Sequence, residues 1–477
     1  MVVCELCTRH FRTIAAAVLL LAAFNLTFRV GDNAITEWDE SLYGLSAAEM
    51  IDTGDWVVTR LDGEIDYSTI TKPPLMVWLI ALSFQTLGVS PLSLRLVSIV
   101  AAWLTVLIVM LWTRRIAGAP NAIAAGVVLA TSFGFMFVHS GRTGNTDALF
   151  TLLITLTVVV LYASAGRPWV RLLLGPLLAA MFLLRGPGML MPLVIVVLFE
   201  LWRRRDPVRW PALAGAFLLF LVPVGSWIVA RWQADGWVFL TQVWKVDLLT
   251  RTLTPFEGHS GSPLYYFDIL QRYHYDWLLA AAAALLLFPP AKTRWREWLS
   301  IRSDDAASKV VILTWAAVTV GVPTLMQTKL SWYLNPFYPV FAVLVGGILC
   351  HALGRTDGAP RHRTIAFAAI IAIALGTAEG KMLYQASRRD AVNGVQGLLE
   401  RERSMLAGRT IFRAEWNAAD RFVATRMVAA NVAQVGPPER FLELAADGDF
   451  LVAPPDLTDP RLEKVGETGN AALYRKR

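Results

Sequence analysis

Charged side chains are scarce in this sequence. Asp, Glu, Lys and Arg together make up 17% of the 477 residues, whereas hydrophobic residues make up 55%. A soluble globular protein carries about 25% charged residues, and the mean hydropathy of +0.49 also lies on the apolar side. The composition therefore excludes an ordinary soluble protein and predicts an integral membrane protein.

Cysteines and the common cofactor motifs are also few or absent. The three cysteines are Cys4, Cys7 and Cys350, and Cys4 and Cys7 lack the second pair that a zinc ribbon needs. The sequence contains no P-loop, no GxGxxG unit and no HExxH. Functions that depend on ATP, on nicotinamide or on a zinc-protease motif therefore lack support, and we expect no nucleic-acid partner.

Long hydrophobic runs, in contrast, recur along the chain. A helix needs about 20 residues to cross a hydrocarbon core of about 30 Å, and about eleven stretches come close to that length. The shorter apolar stretch 74–87 suits an interfacial or re-entrant helix at least as well as a crossing. The predicted spans are 11–29, 93–113, 119–138, 146–165, 169–184, 186–202, 210–230, 273–290, 310–327, 332–350 and 364–379.

The placement of basic residues predicts the orientation, because cytoplasmic loops of membrane proteins are enriched in Lys and Arg. We place Arg9 and Arg12 in the cytoplasm and assign residues 74–87 as a segment that does not cross the membrane. The cytoplasmic ends then also receive Arg114, Arg115, Arg167, Arg171, Arg203, Arg204, Arg205, Arg209, Lys292, Arg294, Arg296, Arg361 and Arg363. Residues 31–72 form the first extracytoplasmic loop in this topology, and the region after the last span also lies outside.

The first outer loop is polar, acidic and aromatic where its flanks are apolar. It carries Asp39 and Glu40 near its start and closes with Lys72 before Pro73 and Pro74. Carboxylates and a cation held together at a membrane surface suit a reaction that removes a proton and binds an anion. Transfer of a sugar from a lipid phosphate is such a reaction.

Further unusual polar residues fall on the same predicted side. Ionisable residues at or inside a membrane are rare and indicate function, although Trp and Tyr also form interfacial belts and Arg also snorkels. Asp39 and Asp147 have short side chains that cannot snorkel far, which favours a functional role for both. The other outer polar residues include His139, Arg142, Arg185, Asp247, Arg251, Glu257, His259, Lys329 and Tyr333.

These residues predict a mechanism for sugar transfer. Attack of a hydroxyl on an anomeric carbon is assisted by a carboxylate that removes the proton, and Asp39 is the candidate base. Glu40 then orients Asp39 or pairs with a nearby cation. The departing phosphate is already ionised and needs cations, which Lys72 supplies with Lys329 or Arg251 as helpers.

Several motifs in order resemble the GT-C membrane glycosyltransferases. They are Asp39-Glu40-Ser-Leu-Tyr43, Gly54-Asp55-Trp56, Thr71-Lys72-Pro73-Pro74-Leu75, the turn from Arg142 to Asp147, Arg185-Gly186-Pro187 and Lys329-Leu-Ser-Trp-Tyr333-Leu-Asn-Pro336. The nearest resemblance is to the 4-amino-4-deoxy-L-arabinose lipid A transferases and the protein O-mannosyltransferase superfamily. It covers most of residues 11–350.

The resemblance implies a GT-C fold, a polyprenyl-phosphate sugar donor and an acceptor hydroxyl on a lipid, glycan or protein of the cell envelope. It implies a multi-pass protein of the bacterial inner or plasma membrane, in contact with membrane lipids, that transfers a hexose or a pentose. Asp39 is then a catalytic carboxylate, Lys72 holds the donor phosphate and Tyr333 lies near it. Looser matches extend the catalytic set to Asp147 and make His259 a candidate ligand of a divalent metal.

Two positions depart from the family pattern. Leu42 stands where relatives commonly have an arginine three residues after the aspartate, and Thr71 stands where they have a glutamate before the lysine. The phosphate site has therefore lost one cation and one metal ligand. Glu64 or Asp66 could replace the missing acid, or no metal is bound.

Residues 381–477 are more polar and predict a separate small domain. Short apolar runs at 410–412 and 450–452 alternate with helix-like stretches, which is typical of an α/β domain. Its predicted roles are contact with the acceptor, a cap over the cavity or structural support. Residues 1–380 form the predicted all-α membrane domain.

A polyprenyl-lipid flippase or a small-molecule transporter is the alternative function, since either would also have many spans and intramembrane charges. Transporters commonly have inverted repeats, broken helices and charges near the bilayer midplane. Here the sequence has no apparent inverted repeat, and its charges gather at one face. The sequence thus favours the transferase over the transporter and over a lipid-glycan binder without catalytic activity.

Overall fold

A computed structural model describes residues 2–61, 63–64, 72–203, 206, 208–290 and 306–477. Asp66, Thr71, Arg204, Arg205, Lys292, Arg294 and Arg296, which the sequence predictions used, lie outside these residues. The membrane domain contains the helices Val2–Arg9, Phe11–Thr27, Asp39–Thr53, Leu75–Leu87, Pro91–Ala117, Ala119–Ala130, Phe133–Phe137, Asp147–Ser164, Leu174–Arg185, Leu190–Trp202, Arg209–Asp235, Val238–Gln242, Arg251–Leu253, Tyr265–Leu287, Ala306–Leu325, Tyr338–Leu353 and Arg361–Ala386.

Shorter helical turns join several of these helices. The segment Val243–Thr250 is a π-helix, a form that is rare and frequent at functional sites. The 3₁₀ turns are Pro168–Leu173, Gly186–Met189, Phe256–Gly258, Ser331–Phe337 and Thr356–Gly358.

Within the described residues, seven helical segments are long and apolar enough to cross a membrane. One of them, Pro168–Trp202, is 35 residues long and covers two predicted spans. Phe11–Thr27 and Ala119–Ala130 are apolar but shorter. The predicted helical membrane domain is therefore confirmed, while the count of eleven spans stays a prediction.

The long segment Pro168–Trp202 reverses direction at Gly186. Arg171, near its start, donates to Glu200 near its end, whereas Arg185 in the middle lies 2.7 Å from Asp147. The two halves therefore run in opposite directions. Gly186 has φ +53°, in the left-handed region where glycine is tolerated, and a Cβ there would lie 2.9 Å from Val243.

The helix Leu75–Leu87 does not cross the molecule. It begins next to Lys72, whose ammonium lies 3.1 Å from Asp247. It ends just before the helix Pro91–Ala117, whose Arg95 contacts Glu40 within its first turns. Both ends therefore lie on the face that carries Asp39.

The C-terminal region folds around a five-stranded sheet in the order β2-β1-β3-β5-β4. The strands are β1 Thr410–Arg413, β2 Asn431–Gln434, β3 Phe450–Ala453, β4 Leu462–Glu467 and β5 Ala472–Lys476. β1 pairs parallel with β2 and β3, whereas β5 pairs antiparallel with β3 and β4. Its helical segments are Asp390–Asn393, Val395–Arg401, Arg403–Leu406, Ala418–Phe422, Val423–Met427 and Pro438–Leu444. The predicted small α/β domain is confirmed.

This domain packs directly on the face that carries Asp39. The ring of Phe422 stacks on Phe84 with 6.1 Å between centroids, and it covers Gly44, where a Cβ would lie 2.8 Å from the ring. Arg426 adds an ion pair with Asp52 at 2.5 Å. The domain and the first outer loop therefore lie on the same side of the membrane domain.

Candidate active site

A cavity of about 1040 Å³ opens beside the first outer loop. Five of the predicted site residues line it: Asp39, Lys72, Arg251, His259 and Tyr333. They come from separate loops and helix ends, so the fold brings together residues that lie up to 294 positions apart, from 39 to 333. Three other predicted residues, Glu40, Asp147 and Lys329, do not line this cavity.

Asp39 begins the helix Asp39–Thr53 and follows a strained residue. Trp38 has φ +70° and ψ −123°, a conformation that costs a residue other than glycine about 1–3 kcal/mol. The carbonyl of Trp38 accepts from the backbone N–H of Leu42 at 2.9 Å, which fixes the first turn. The side chain of Asp39 keeps 39% of its surface exposed, so its carboxylate reaches the cavity while the backbone beneath it is fixed.

Glu40 is held in the protein interior, away from the cavity. Its carboxylate accepts from the guanidinium of Arg95 at 2.6 and 3.2 Å and from the backbone N–H groups of Gly144 and Thr36 at 2.9 and 2.8 Å. Burial opposes its ionisation, but the charge of Arg95 and these hydrogen bonds outweigh burial and lower the pKa of the Glu40 carboxyl. The predicted pairing of Glu40 with a cation is therefore present, while its catalytic role stays a prediction that its buried position does not favour.

Arg95 was missed as a functional residue by sequence reasoning. Its guanidinium also donates to the carbonyls of Val30, Asn33 and Ala34, and its side chain is 1% exposed. Arg95 thereby ties the loop before Asp39 to the helix Pro91–Ala117. The signal for Arg95 in the sequence is that it is a single arginine within the apolar run 93–113, because an intramembrane charge indicates a functional residue.

His139 stands between the two predicted catalytic aspartates. Its Nδ1 lies 3.1 Å from Asp147 Oδ2 and its Nε2 lies 3.7 Å from Asp39 Oδ2. The imidazole stacks on the Trp332 ring at 4.2 Å between centroids and 11° between planes. From the sequence, His139 is predicted only to be a polar residue of the outer side. Its two partners lie 100 and 8 positions away, so no local motif indicates that the three residues are in contact.

Asp147 reaches the cavity only through His139 and Arg185. Its side chain is fully buried and lies 2.7 Å from the Arg185 guanidinium, which also donates to the Thr146 hydroxyl at 2.8 Å. A buried carboxylate needs such partners to stay ionised. The structure thus brings Asp147 next to the site but behind the residues that face a substrate.

The same cavity also holds two cations around one carboxylate. Asp247, on the π-helix Val243–Thr250, lies 3.1 Å from Lys72 Nζ and 3.2 Å from Arg251 Nε. Arg251 also donates to the Tyr333 hydroxyl at 3.5 Å. Asp247 offsets the repulsion between the two positive charges and was not among the predicted site residues, since no spacing links it to Lys72.

Lys329 does not belong to this cation cluster. Its ammonium donates to the backbone carbonyls of Pro323, Thr324 and Met326, at the C-terminal end of the helix Ala306–Leu325. Cations there satisfy carbonyls that have no partner within the helix. The ammonium of Lys329 thus caps this helix end in the structure, and its role at the donor phosphate stays a prediction.

The residues present do not build a metal site around His259. This side chain is exposed at the cavity, and its backbone carbonyl accepts from the N–H of Lys329 at 3.1 Å. Across the ranges that the structure describes, no group of three His, Cys, Asp or Glu side chains could hold a metal ion. Glu64 is exposed in a turn with Leu61, and Asp66 lies outside the described residues.

Tyr43 lies on the same helix as Asp39 but is buried and does not line the cavity. The residue is 4% exposed, and in the described part of the chain its buried hydroxyl has no hydrogen-bond partner. Burial, together with the negative charges of Asp39, Asp247 and Asp147, raises the pKa of the Tyr43 phenol well above its ordinary value. The hydroxyl therefore stays protonated.

Comparisons with known proteins show what the chain is similar to in sequence and fold. Residues 71–227 match the family described as dolichyl-phosphate-mannose-protein mannosyltransferase. The undecaprenyl phosphate-alpha-4-amino-4-deoxy-L-arabinose arabinosyl transferase of Pseudomonas aeruginosa is 29% identical over 351 residues, which are 70% of this chain and 60% of that relative. The chain therefore spans less than two thirds of that relative's length.

Two solved structures share the fold. The crystal structure of ArnT from Cupriavidus metallidurans bound to undecaprenyl phosphate superposes with a TM-score of 0.68 and 16% identity, and the match covers 97% of each chain. The Archaeoglobus fulgidus oligosaccharyltransferase has a TM-score of 0.55 and 13% identity over 92% of this chain and 65% of its own. The chain thus has the GT-C fold and resembles in sequence the undecaprenyl-phosphate aminoarabinose transferases.

Proposed function

We propose that this protein transfers a sugar from a polyprenyl-phosphate donor to a hydroxyl group of a cell-envelope acceptor at the outer face of the membrane. One observation carries the proposal: a single cavity holds both the carboxylate of Asp39 and the cation cluster of Lys72 and Arg251. A base for the incoming hydroxyl and cations for the departing phosphate are the two groups that this reaction needs.

In this mechanism, Asp39 removes the proton from the acceptor hydroxyl as its oxygen bonds to the anomeric carbon. A positioned general base contributes about 10²- to 10⁴-fold to a reaction rate. The bond between the anomeric carbon and the phosphate oxygen breaks, and its electron pair leaves with the phosphate. Lys72, Arg251 and the Tyr333 hydroxyl stabilise the added charge through charge-assisted hydrogen bonds.

The size and lining of the cavity support a lipid-linked donor. Its volume of about 1040 Å³ lies at the upper end of ordinary ligand sites, about 300–1,000 Å³. The apolar part of its wall offers a path on which an isoprenoid chain can lie. This part is formed by Leu190, Met191, Val322, Leu325, Met326 and Leu330.

A second cavity of about 740 Å³ supports an approach for the acceptor under the C-terminal domain. Glu37, Trp38 and Leu42 line both cavities. The domain contributes the residues that follow β1 and β3, including Trp416 and Pro454, and ligands of α/β sheets bind at such carboxyl ends. We infer that the acceptor passes here to Asp39, which gives the domain the predicted role of acceptor contact.

The arginine bias supports placing this whole assembly outside the cytoplasm. The C-terminal domain packs on the face of Asp39, so a single orientation fixes both. Membrane proteins keep their basic loops in the cytoplasm, and the buried basic cluster of Arg171 and Arg209 around Glu200 lies at the opposite end of the spans. We therefore propose an extracytoplasmic active site in a bacterial inner membrane.

The test uses the purified protein in lipid nanodiscs with radiolabelled undecaprenyl-phosphate 4-amino-4-deoxy-L-arabinose and with the corresponding hexose donors. An extract of envelope lipids and glycans supplies the acceptor. We expect release of undecaprenyl phosphate together with label in the extract, and we expect Asp39→Asn to abolish both. If the protein moves intact donor across a bilayer without cleaving it, the transferase proposal is wrong and the transporter is correct.

A further inference from the structure

The mechanism with Asp39 alone leaves His139 without a role, although this residue of the cavity wall is held by several contacts. Its Nδ1 is held by the buried carboxylate of Asp147 at 3.1 Å. One ring face lies on Trp332, and its backbone has φ +56°. Non-glycine residues at positive φ are uncommon and concentrate at functional sites.

The hydrogen bond to Asp147 determines which nitrogen of His139 can accept a proton. A carboxylate accepts, so Nδ1 donates, and neutral imidazole then carries its lone pair on Nε2. Nε2 faces the cavity, 3.7 Å from Asp39 Oδ2. A buried acid that orients a histidine toward a reacting group is the arrangement that activates bases in unrelated enzymes.

We propose that His139 is the terminal proton acceptor of the transfer reaction and that Asp147 is its positioning residue. This inference rests on the proposed function. The acceptor proton passes to Asp39 as the glycosidic bond forms, and Asp39 gives it to Nε2 of His139, which regenerates the Asp39 carboxylate. The phosphate departs with its electron pair, and the proton leaves His139 to water before the next turnover.

The charges around His139 fit this role. The imidazolium would lie between the carboxylates of Asp39 and Asp147, which both stabilise a positive charge. Arg185 lies 2.7 Å from the same Asp147 oxygen that accepts from His139 Nδ1, so Asp147 faces both groups and Asp39 adds a second negative charge. The separation of 3.7 Å is longer than a hydrogen bond, but Asp39 is 39% exposed, so its side chain is free to rotate, and such contacts tighten when substrate binds.

The backbone of His139 offers a direct test by chemical rescue. Glycine suits φ +56° without strain, so His139→Gly removes the imidazole, leaves a space on Trp332 and preserves the fold. We expect its rate of undecaprenyl phosphate release, with the donor and extract described above, to fall by about 10²-fold or more. Free imidazole at about 50–100 mM is then expected to restore the rate at least tenfold, because it supplies the base that the variant lacks.

Two matched variants make the test specific. His10→Ala, an exposed residue at the opposite end of the molecule, should keep the wild-type rate with or without imidazole. His139→Gln keeps a donor for Asp147 but cannot take up a proton, so it should be as slow as His139→Gly. Both His139 variants should bind undecaprenyl phosphate with wild-type affinity.

Opposite results would overturn the proposal. If imidazole fails to accelerate His139→Gly in protein that binds undecaprenyl phosphate normally, or if His139→Gln works within threefold of wild type, then His139 only shapes the site. A wild-type protein that releases no undecaprenyl phosphate from any donor would instead refute the proposed function. The two failures are thus distinguishable on the same samples.

Discussion

The ion pair of Glu40 and Arg95 allows the catalytic and structural roles of neighbouring acids to be separated by one substitution. Glu40→Gln changes one carboxylate oxygen to an amide NH₂. Oε1 accepts from Arg95 and Gly144, and Oε2 accepts from Arg95, from the Thr36 N–H and from the Thr36 hydroxyl. In either orientation of the amide, its N–H groups would therefore face donors.

The magnitude follows from these contacts. A hydrogen bond to a charged group contributes about 1.5–3 kcal/mol, and at least two are lost while Arg95 stays buried at 1% exposure. Breaking a buried ion pair by removing one partner costs about 3–5 kcal/mol, which agrees with that loss. In a large chain each kcal/mol lowers the melting temperature by about 2–4 °C, so we expect a decrease of roughly 6 °C or more.

The assay measures two quantities on one detergent-solubilised sample, namely the melting temperature and the rate of undecaprenyl phosphate release per folded molecule. We expect a lower melting temperature and a rate within about fivefold of wild type at a temperature where the variant is folded. An unchanged melting temperature combined with a rate lowered by about 10²-fold would refute this reasoning and return Glu40 to the reacting groups. Glu443→Gln, at an exposed position of the C-terminal domain, is a control for the loss of one negative charge.

Three further predictions test the site and its orientation. Asp39→Asn should lower turnover by about 10²-fold or more with donor binding nearly intact, and activity within a few-fold of wild type would end its assignment as a base. Lys72→Ala should raise the donor KM at least tenfold, because it removes a charge-assisted contact of about 1.5–3 kcal/mol, and an unchanged KM would leave Arg251 as the main phosphate ligand. In a background without native cysteines, Glu64→Cys and Glu443→Cys should react with an impermeant maleimide in intact cells. Labelling of Arg204→Cys instead would show that the protein has the opposite orientation in the membrane.

Residue type alone was enough to predict that several of the candidate site residues would lie together. Polar residues at the outer ends of apolar runs must converge at one membrane face, so Asp39, Lys72, Arg251 and Tyr333 were expected together and all line one cavity. The helical membrane domain and the small C-terminal sheet followed from the period and length of the apolar runs.

The sequence could not predict which partner each charge would find. Lys329 carries the same charge as Lys72, but it donates to three carbonyls at a nearby helix end. Lys72 instead forms an ion pair with Asp247, which is far from it in the sequence. Glu40 adjoins Asp39 in the chain, yet successive residues of a helix point in different directions. Arg95 then binds Glu40 in the interior while Asp39 faces the cavity.

The contact of Phe422 with Gly44 couples the C-terminal domain mechanically to the helix that carries Asp39. Phe422 belongs to the C-terminal domain, and Gly44 lies on the same helix as Asp39, where any side chain larger than hydrogen would meet the ring. Arg426 forms an ion pair with Asp52 near the other end of that helix, so the domain contacts the helix at two points. If a bound acceptor tilts the domain, the helix would therefore rotate together with the domain, and Asp39 at the start of the helix would change its position.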